Sequence, residues 1–288
     1  MLSPRNLLLA VLLFSLFVPL GNAVTWTSID YPGARNTTAW GINSAGQIVG
    51  SYYNPGPDNS HCFLYVNGTM TSFDYPGASL SAALGINDSG QIVGYYYNAN
   101  SVQQHGFFFD GTTYTTIDPP NATLSYLTKI NNFGQMVGFY VDQTNTGHMF
   151  EYDVNTGVFT TLQGPRNASL QPGGINNPGD MVGVASTALL NGQGFLLSGG
   201  TYRFFTVPQA SYTFPQAIND SGEIVGYVLS SQHGSKRKVF IFLSGNSLLL
   251  DYPGGPGFTE AQGVNNAGAI VGFWSDWNGD GHAFLRTP

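Results

Sequence analysis

The sequence predicts an all-β fold, specifically a six-bladed β-propeller with four strands per blade. One unit recurs six times, at intervals of 43 to 46 residues. Each copy contains four short segments separated by turn residues, which is the content of one propeller blade. Apart from the N-terminal apolar stretch, no segment shows a sustained 3.6-residue apolar period, so helices are not expected.

The first repeated mark is Gly-Ile-Asn-x-x-Gly-Gln-Ile-Val-Gly. An Asn and a Gly three residues apart suit the first and fourth positions of a tight turn, so this mark joins the first two strands of a unit. We interpret the Asn as a turn former rather than a ligand. Its six copies are Asn43, Asn87, Asn131, Asn176, Asn219 and Asn265.

A second mark, His-x-Phe, opens the third strand, and Asp-Tyr-Pro-Gly follows the fourth strand in most units. In a ring of blades the third strands lie too far apart for their imidazoles to share a metal ion. We therefore expect structural hydrogen bonds from the His residues to neighbouring turns, and blade-junction turns at the Asp residues. These residues are His61, His105, His148 and His282, and Asp30, Asp74, Asp118 and Asp251.

The two ends of the chain complement each other. The last unit stops at Pro288 without a fourth strand, whereas residues 25–30 (TWTSID) look like an orphan fourth strand. We expect these segments to pair within one blade, which closes the ring and leaves no incomplete sheet edge.

Residues 1–23 match a secretory signal peptide. Arg5 precedes an apolar stretch at residues 7–20, and Gly21 and Ala23 place small residues at positions −3 and −1 of a cut before Val24. The stretch is shorter than the roughly 20 residues that span a bilayer, so no membrane span is expected. We predict cleavage after Ala23 and a secreted, extracellular or periplasmic protein. Residues 24–288 would form a single propeller domain and a monomer.

The composition excludes some functions. The chain has 9 Lys+Arg against 16 Asp+Glu and an isoelectric point near 4.9, so a nucleic-acid partner is not expected. Cys62 is the single cysteine, which excludes an internal disulfide. Its equivalents in the other units are small or apolar residues, so we expect it to occupy a packing position.

The two main marks together resemble the bacterial extracellular HAF-repeat family. The resemblance covers nearly all of the chain after residue 23. It implies an exported, propeller-like protein, and it implies no established activity and no catalytic residues. The fourth and fifth units depart most from the pattern, because Gln193 and Lys238 replace the His.

Residues that differ between the repeats are the candidates for ligand binding. The loops between second and third strands vary most and should emerge on one face, near aromatic residues that look exposed. Such aromatic residues on a rigid scaffold suit glycans or peptides, although they could also only cover blade edges. Lys129 replaces Gly or Ala beside the predicted central channel, where it could hold an anion or fill space. The candidates are Tyr53, Tyr97, Tyr140, Trp274, Trp277 and Lys129.

One loop suggests a calcium site. Asp276, Asn278 and Asp280 match the start of a calcium-binding loop, D-x-[DN]-x-[DN]-G. The twelfth position is Thr287 instead of the Glu that an EF-hand requires. Calcium is therefore a candidate cofactor without an EF-hand, and no other cofactor is expected.

The sequence favours a non-catalytic extracellular binding or scaffold module that uses variable loops on one face. Its partner would be an extracellular glycan or protein. The alternative is a carbohydrate-active enzyme on a propeller scaffold, which usually needs two placed carboxylates that the sequence does not pair. A purely structural surface component is the third hypothesis.

Overall fold

The structure is a computed structural model, and it describes residues 24–54, 60–98, 103–187, 192–229 and 236–288. The predicted signal peptide and parts of four of the loops between second and third strands lie outside the described residues. Within the described part of the chain, no helix is long and apolar enough to cross a bilayer.

The described chain contains 24 strands and one 3₁₀ turn at Pro165–Asn167. The strands are β1 Thr25–Ser28, β2 Asn36–Ile42, β3 Ile48–Tyr53, β4 His61–Val66, β5 Thr69–Phe73, β6 Ala78–Ile86, β7 Ile92–Asn98, β8 Gln104–Phe109, β9 Tyr114–Thr116, β10 Ala122–Ile130, β11 Gln135–Asp142, β12 Gly147–Asp153, β13 Val158–Leu162, β14 Ser169–Ile175, β15 Met181–Ser186, β16 Gln193–Ser198, β17 Thr201–Phe205, β18 Tyr212–Ile218, β19 Ile224–Leu229, β20 Arg237–Leu243, β21 Asn246–Leu250, β22 Thr259–Val264, β23 Ile270–Ser275 and β24 Gly281–Thr287.

The fold is all-β and propeller-like, with antiparallel units of four strands. Four sheets have four strands each: β6–β9, β10–β13, β14–β17 and β18–β21. A fifth sheet of eight strands joins β2–β5 to β22–β24 and β1 through one parallel bridge between Asn36 and Gly281. Strand β1 pairs with β24, with Thr25 opposite Thr287, so the predicted pairing of the two ends is confirmed.

The predicted turns are confirmed at the repeated Asn and at Pro-Gly. The amide of Gly46 donates to the carbonyl of Asn43 at 3.0 Å, and the same bond recurs in the other five units. Gly46 has a φ of +77°, a value that glycine adopts without a steric penalty. At Pro32-Gly33, the amide of Ala34 donates to the Tyr31 carbonyl, and Gly33 has the positive φ that a type II turn requires.

A Gly–Phe pair explains two of the repeated positions. Gly50 of β3 is the register partner of Phe63 of β4, and equivalent pairs occur in all six units. A Cβ atom on Gly50 would lie 2.1 Å from the carbonyl oxygen of Thr38 and 2.5 Å from the Phe63 ring, so no side chain fits there. The six Phe are fully buried: Phe63, Phe107, Phe150, Phe195, Phe240 and Phe284. Cys62 is also fully buried in a hydrophobic cluster, as the sequence predicts.

The first strand of each unit lies at the centre of the molecule. Strands β2, β6, β10, β14, β18 and β22 contact one another in this order, and β22 also contacts β2. The repeated Asn residues connect these inner strands. Each Asn donates from Nδ2 to the backbone carbonyl of the Asn in the next unit at 3.0–3.1 Å, and Asn265 donates to Asn43. The hydrogen bonds therefore form a closed ring.

The Asn also acts within its own turn, which makes the turn-former interpretation correct but incomplete. In the first unit, Oδ1 of Asn43 accepts the amide of Gln47 at 2.9 Å, while Nδ2 donates both to Oε1 of Gln47 and to the next unit. One buried side chain thus fixes a turn and links two units.

We predict that Asn131→Ala lowers the free energy of unfolding by about 1–3 kcal/mol, because it removes one of the two donors to the buried carbonyl of Asn176 and the Oδ1 acceptor of the Gln135 amide. Denaturant unfolding followed by tryptophan fluorescence measures the change. The matched control is Asn246→Ala at an exposed position of β21, for which we expect a loss below about 0.5 kcal/mol. Equal losses in the two variants would contradict a structural role for the ring.

Candidate functional site

A β-bulge in every inner strand directs one residue toward the axis. The register of β2 against β3 shifts between Ala39 and Gly41, and the corresponding shift occurs in each of the other five inner strands. Bulges change the direction of a side chain relative to a regular strand. The six bulged residues are Trp40, Leu84, Thr128, Gly173, Gln216 and Gln262, and all six line one cavity.

This cavity, which we call the channel mouth, has a volume of about 400 Å³. That volume lies in the range of small-molecule binding pockets. Besides the six bulged residues, the lining consists of Tyr95, Tyr97, Gln104, Tyr126, Lys129, Gln171 and Pro172. Because Tyr97 lies near the end of β7 and Gln104 begins β8, the cavity opens at the face that carries the loops between second and third strands.

The aromatic residues of the channel mouth are held in place by neighbours. The indole nitrogen of Trp40 donates to Oγ of Ser51 at 3.0 Å. Tyr95 and Tyr97 make an edge-on contact with ring centroids 6.0 Å apart, and the Tyr97 hydroxyl donates to Oε1 of Gln104 at 3.3 Å. Burial raises the pKa of Tyr126 to about 12 and also raises that of Tyr95. Both rings therefore remain neutral at ordinary pH and offer apolar faces to a ligand.

Lys129 lies at the floor of the channel mouth. Its ammonium donates to the carbonyl oxygens of Trp40 at 3.1 Å and Leu84 at 2.8 Å, and it also lines a smaller cavity of about 70 Å³ deeper in the channel. Burial lowers the pKa of Lys129 to about 7. The ring of aliphatic residues below it consists of Ile42, Ile86, Ile130, Ile175, Ile218 and Val264.

Close backbone contact explains why Lys129 is exceptional at its position. The equivalent residues of the other units are Gly or Ala, and a Cβ on Gly85 would lie 2.9 Å from the Cα of Lys129. The long side chain of Lys129 extends into the channel, where its ammonium reaches the carbonyl oxygens of Trp40 and Leu84. The prediction that Lys129 lies beside the central channel is confirmed.

A charged pair lies beside the channel mouth. Glu260 on β22 is 4% exposed, and it forms an ion pair with Nη1 of Arg237 and accepts a 2.9 Å hydrogen bond from Nε2 of Gln262. Burial raises the pKa of Glu260, and the adjacent Arg237 opposes that rise. The guanidinium also lies 5.5 Å from the centre of the Tyr227 ring. Two residues of the basic run at residues 236–238 are therefore engaged in ion pairs, Arg237 with Glu260 and Lys238 with Asp251.

The structure brings together two of the six predicted ligand-binding residues, Tyr97 and Lys129, in the channel mouth. Tyr53 is half-buried at the end of β3 and is not part of its lining. Trp277 is 80% exposed at a loop tip, as predicted, but it also lies outside the cavity.

The sequence suggested that Tyr140 and Trp274 are exposed. In the structure both residues are half-buried in aromatic stacks. Trp274 stacks on Tyr252 of the preceding junction, with ring centroids 4.2 Å apart and planes 4° apart, and it covers His282 on its other side at 4.7 Å. Tyr140 stacks on His148 at 4.8 Å. Both residues occupy the second position after the strand glycine, whereas Tyr53 and Tyr97 occupy the third.

The predicted hydrogen bonds of the repeated His are confirmed. Nδ1 of His61 lies 2.7 Å from Oδ2 of Asp74, and equivalent contacts join His105 to Asp118 and His282 to Asp30. His148 instead contacts Asp142 through Nε2 at 2.9 Å. In the fifth unit, the ammonium of Lys238 replaces the imidazole and lies 2.9 Å from Asp251.

The candidate calcium loop forms a compact turn. Oδ1 of Asp276 accepts the amides of Asn278 and Asp280 at 2.8 and 2.9 Å. Oδ1 of Asp280 lies 2.9 Å from Nε of Arg35, so a cation at this loop would compete with a guanidinium. Among the described residues, no group of three or more His, Cys, Asp or Glu could hold a metal. Calcium binding through Asp276, Asn278 and Asp280 stays a prediction.

Most of the channel mouth was missed by sequence reasoning. The bulged residues precede the Gly of Gly-Ile-Asn, and they are Trp40, Leu84, Thr128, Gly173, Gln216 and Gln262. Their variation beside an otherwise repeated motif was the available signal.

Known structures share this fold. A triple arginine-to-alanine mutant of AofleA from Arthrobotrys oligospora superposes with a TM-score of 0.54 at 14% sequence identity. The match covers 92% of this chain and 87% of the AofleA chain. The Aleuria aurantia lectin, in complex with Fucα1-6GlcNAc, gives 0.53 at 10% identity over 90% and 93% of the two chains. A putative TolB from Agrobacterium tumefaciens gives 0.52 at 14% identity over 84% and 91%. The likeness is one of fold. No protein-family model and no curated protein sequence matches the chain.

We predict that Tyr96→Ala lowers the free energy of unfolding by about 3–5 kcal/mol. The Tyr96 ring is 5% exposed, stacks on Tyr75 at 3.7 Å, and its hydroxyl bonds to Thr116. The matched variant is Tyr97→Ala, at the half-buried next position, for which we expect a loss of about 1 kcal/mol or less. Denaturant unfolding of both variants tests whether Tyr96, rather than Tyr97, is the residue that stabilises the fold. A larger loss for Tyr97→Ala would contradict this assignment.

The lowered pKa of Lys129 predicts a pH-dependent stability. Between pH 7 and about 10.5 the unfolded chain carries a proton on this lysine that the folded chain lacks, so stability should rise with pH across this window. We expect the stability of Lys129→Met relative to the unsubstituted protein to decline from pH 7 to pH 10 and to be constant below pH 6. Denaturant unfolding at each pH measures it. The exposed-site control Lys236→Met should show no such trend.

Proposed function

We propose that this protein is an exported six-bladed β-propeller that binds a glycan at the channel mouth and performs no catalysis. The six repeats, the closed ring of Asn hydrogen bonds and the pairing of β1 with β24 support the blade count. The apolar segment at residues 7–20 and the small residues before Val24 support export to the extracellular space or periplasm. The repeated marks support membership of the HAF-repeat family.

The observation that carries the proposed function is the composition of the channel mouth. The cavity is lined both by aromatic rings and by amide side chains. The aromatic residues are Trp40, Tyr95 and Tyr126, and the amide residues are Gln171, Gln216 and Gln262. Sugar rings present apolar faces that pack on aromatic rings, and hydroxyl groups that exchange hydrogen bonds with amides. Rigid strands hold these side chains, so little conformational entropy is lost when a ligand binds.

The described lining favours binding over hydrolysis. Enzymes that hydrolyse glycosidic bonds generally use two carboxylic groups that flank the bond. No Asp or Glu belongs to the described lining of the channel mouth, and the nearby Glu260 is engaged by Arg237 and Gln262. The likeness to the Aleuria aurantia lectin in complex with Fucα1-6GlcNAc is consistent with a glycan ligand.

A glycan array probed with protein purified from expression of the full chain tests the proposal, and calorimetry on the strongest ligand gives its affinity. We predict that Trp40→Ala weakens binding at least about tenfold, since stacking and burial at such a contact contribute more than 1.4 kcal/mol.

The control is Trp277→Ala, which removes an exposed indole on the loop face outside the cavity and should leave the affinity unchanged. A loss confined to Trp277→Ala would place the ligand on the variable loops instead. Binding of no glycan at all would refute the proposed ligand class.

A further inference from the structure

The channel mouth carries an electrostatic asymmetry. The six inner strands are fully described, and Lys129 and Glu260 are the charged residues among them. Glu260 is neutralised by Arg237. Lys129 makes hydrogen bonds to the uncharged carbonyls of Trp40 and Leu84, so none of these strands supplies a counter-ion for it.

The fold itself does not require this lysine. Four other units place Gly at the equivalent position and one places Ala217, and the same backbone contacts form there. Transfer of an ammonium from water into the channel costs free energy, which is the cause of its lowered pKa. A structural filler would be less costly as an aliphatic side chain such as Met or Leu.

An ammonium has three N–H donors, and two of them are directed to the carbonyls of bulged residues. Lys129 also belongs to the lining of the channel mouth, so part of its surface faces the space in which a ligand would lie. An anionic group there would supply the missing counter-charge and accept the remaining donor.

We propose that the channel mouth selects acidic glycans and that Lys129 is the specificity-determining residue, which binds the carboxylate of a uronic acid. This inference rests on the proposed function. A single ammonium matches the single charge of a sugar carboxylate, while the tyrosines and Trp40 pack against the ring that bears it. Arg237 is already engaged with Glu260 and does not compete for the carboxylate.

The selectivity should depend on pH. The titratable groups around Lys129 are Tyr95, Tyr97 and Tyr126 in the cavity and the Glu260–Arg237 pair beside it. The pKa values of Tyr95 and Tyr126 are raised by burial, so these two residues acquire no charge near neutral pH. With a pKa of about 7, Lys129 loses its proton between pH 6 and pH 8, and affinity for an acid should fall over that interval. Affinity for a neutral glycan should not change.

The test compares a trigalacturonate with its methyl-esterified form by calorimetry, because esterification removes the charge of each carboxylate and adds only a methyl group. We expect the free acid to bind about tenfold more tightly at pH 6, since a hydrogen bond between charged groups is stronger than one to a neutral ester. Lys129→Met should abolish this preference, so that the variant binds acid and ester with equal affinity. Lys236→Met, at an exposed position, makes the same change in net charge and should keep the preference.

The outcomes separate the two proposals. Equal binding of acid and ester by the unsubstituted protein would overturn the inference and leave glycan binding intact. Tighter binding of sulfated than of uronic oligosaccharides would overturn the carboxylate assignment. Binding of neither ligand, and of no other glycan on the array, would refute the proposed function itself. If Lys129→Met does not fold, the pH dependence of the acid-to-ester ratio in the unsubstituted protein decides, and a constant ratio from pH 6 to pH 8 would overturn the inference.

Discussion

The close approach of six backbones around one axis is the constraint on which the rest of the structure depends. At the level of Gly41 and Gly85 the neighbouring inner strands lie so near that an added Cβ would be 3.1 Å from the next Cα. Strands that converge in this way cannot all remain regular. Each one forms a bulge immediately before this residue, and the bulge directs the preceding residue into the channel mouth. Two residues after Gly41, the side-chain amide of the buried Asn43 donates to the backbone carbonyl of Asn87 in the next unit.

The features that could be predicted from the sequence are local ones. Asn43 and Gly46 lie within one tetrapeptide, and Pro32 and Gly33 are adjacent, so their turns follow from backbone preferences alone. The Asn ring could not be predicted, because Nδ2 of Asn43 reaches a carbonyl 44 residues away in the next unit. In an aromatic run such as residues 95–97, the sequence does not show which rings lie on which face of the sheet. A shift of one position in the register exchanges the two faces of a strand. For this reason the sequence does not reveal that Tyr97 lines the channel mouth whereas Trp274 stacks on Tyr252.

Substitutions between repeats show which contacts each unit needs. Lys238 replaces the repeated His and still reaches Asp251, so this position requires a donor to the Asp rather than an imidazole. In the third unit Gln163 stands where four other units have Asp, and His148 turns to Asp142 of its own loop. In the fourth unit Gln193 and Thr206 replace both partners together. The link between third strand and junction is thus present in four units, and in the third unit a contact within the loop between second and third strands takes its place.

Comparison of the repeats also shows how the proposed ligand site on the axis is compatible with a repeated fold. A site between two neighbouring units is copied with the repeat and tends to occur several times. Each unit presents one bulged residue to the channel mouth, so these six residues can differ without any change in the blades that present them. Trp40, Thr128 and Gln216 differ in size and polarity, yet each sits on an equivalent bulge between an equivalent Gly–Phe pair and an equivalent Asn. The repeated residues thus hold a ring of fixed geometry, and the asymmetry needed to recognise one ligand is confined to its centre.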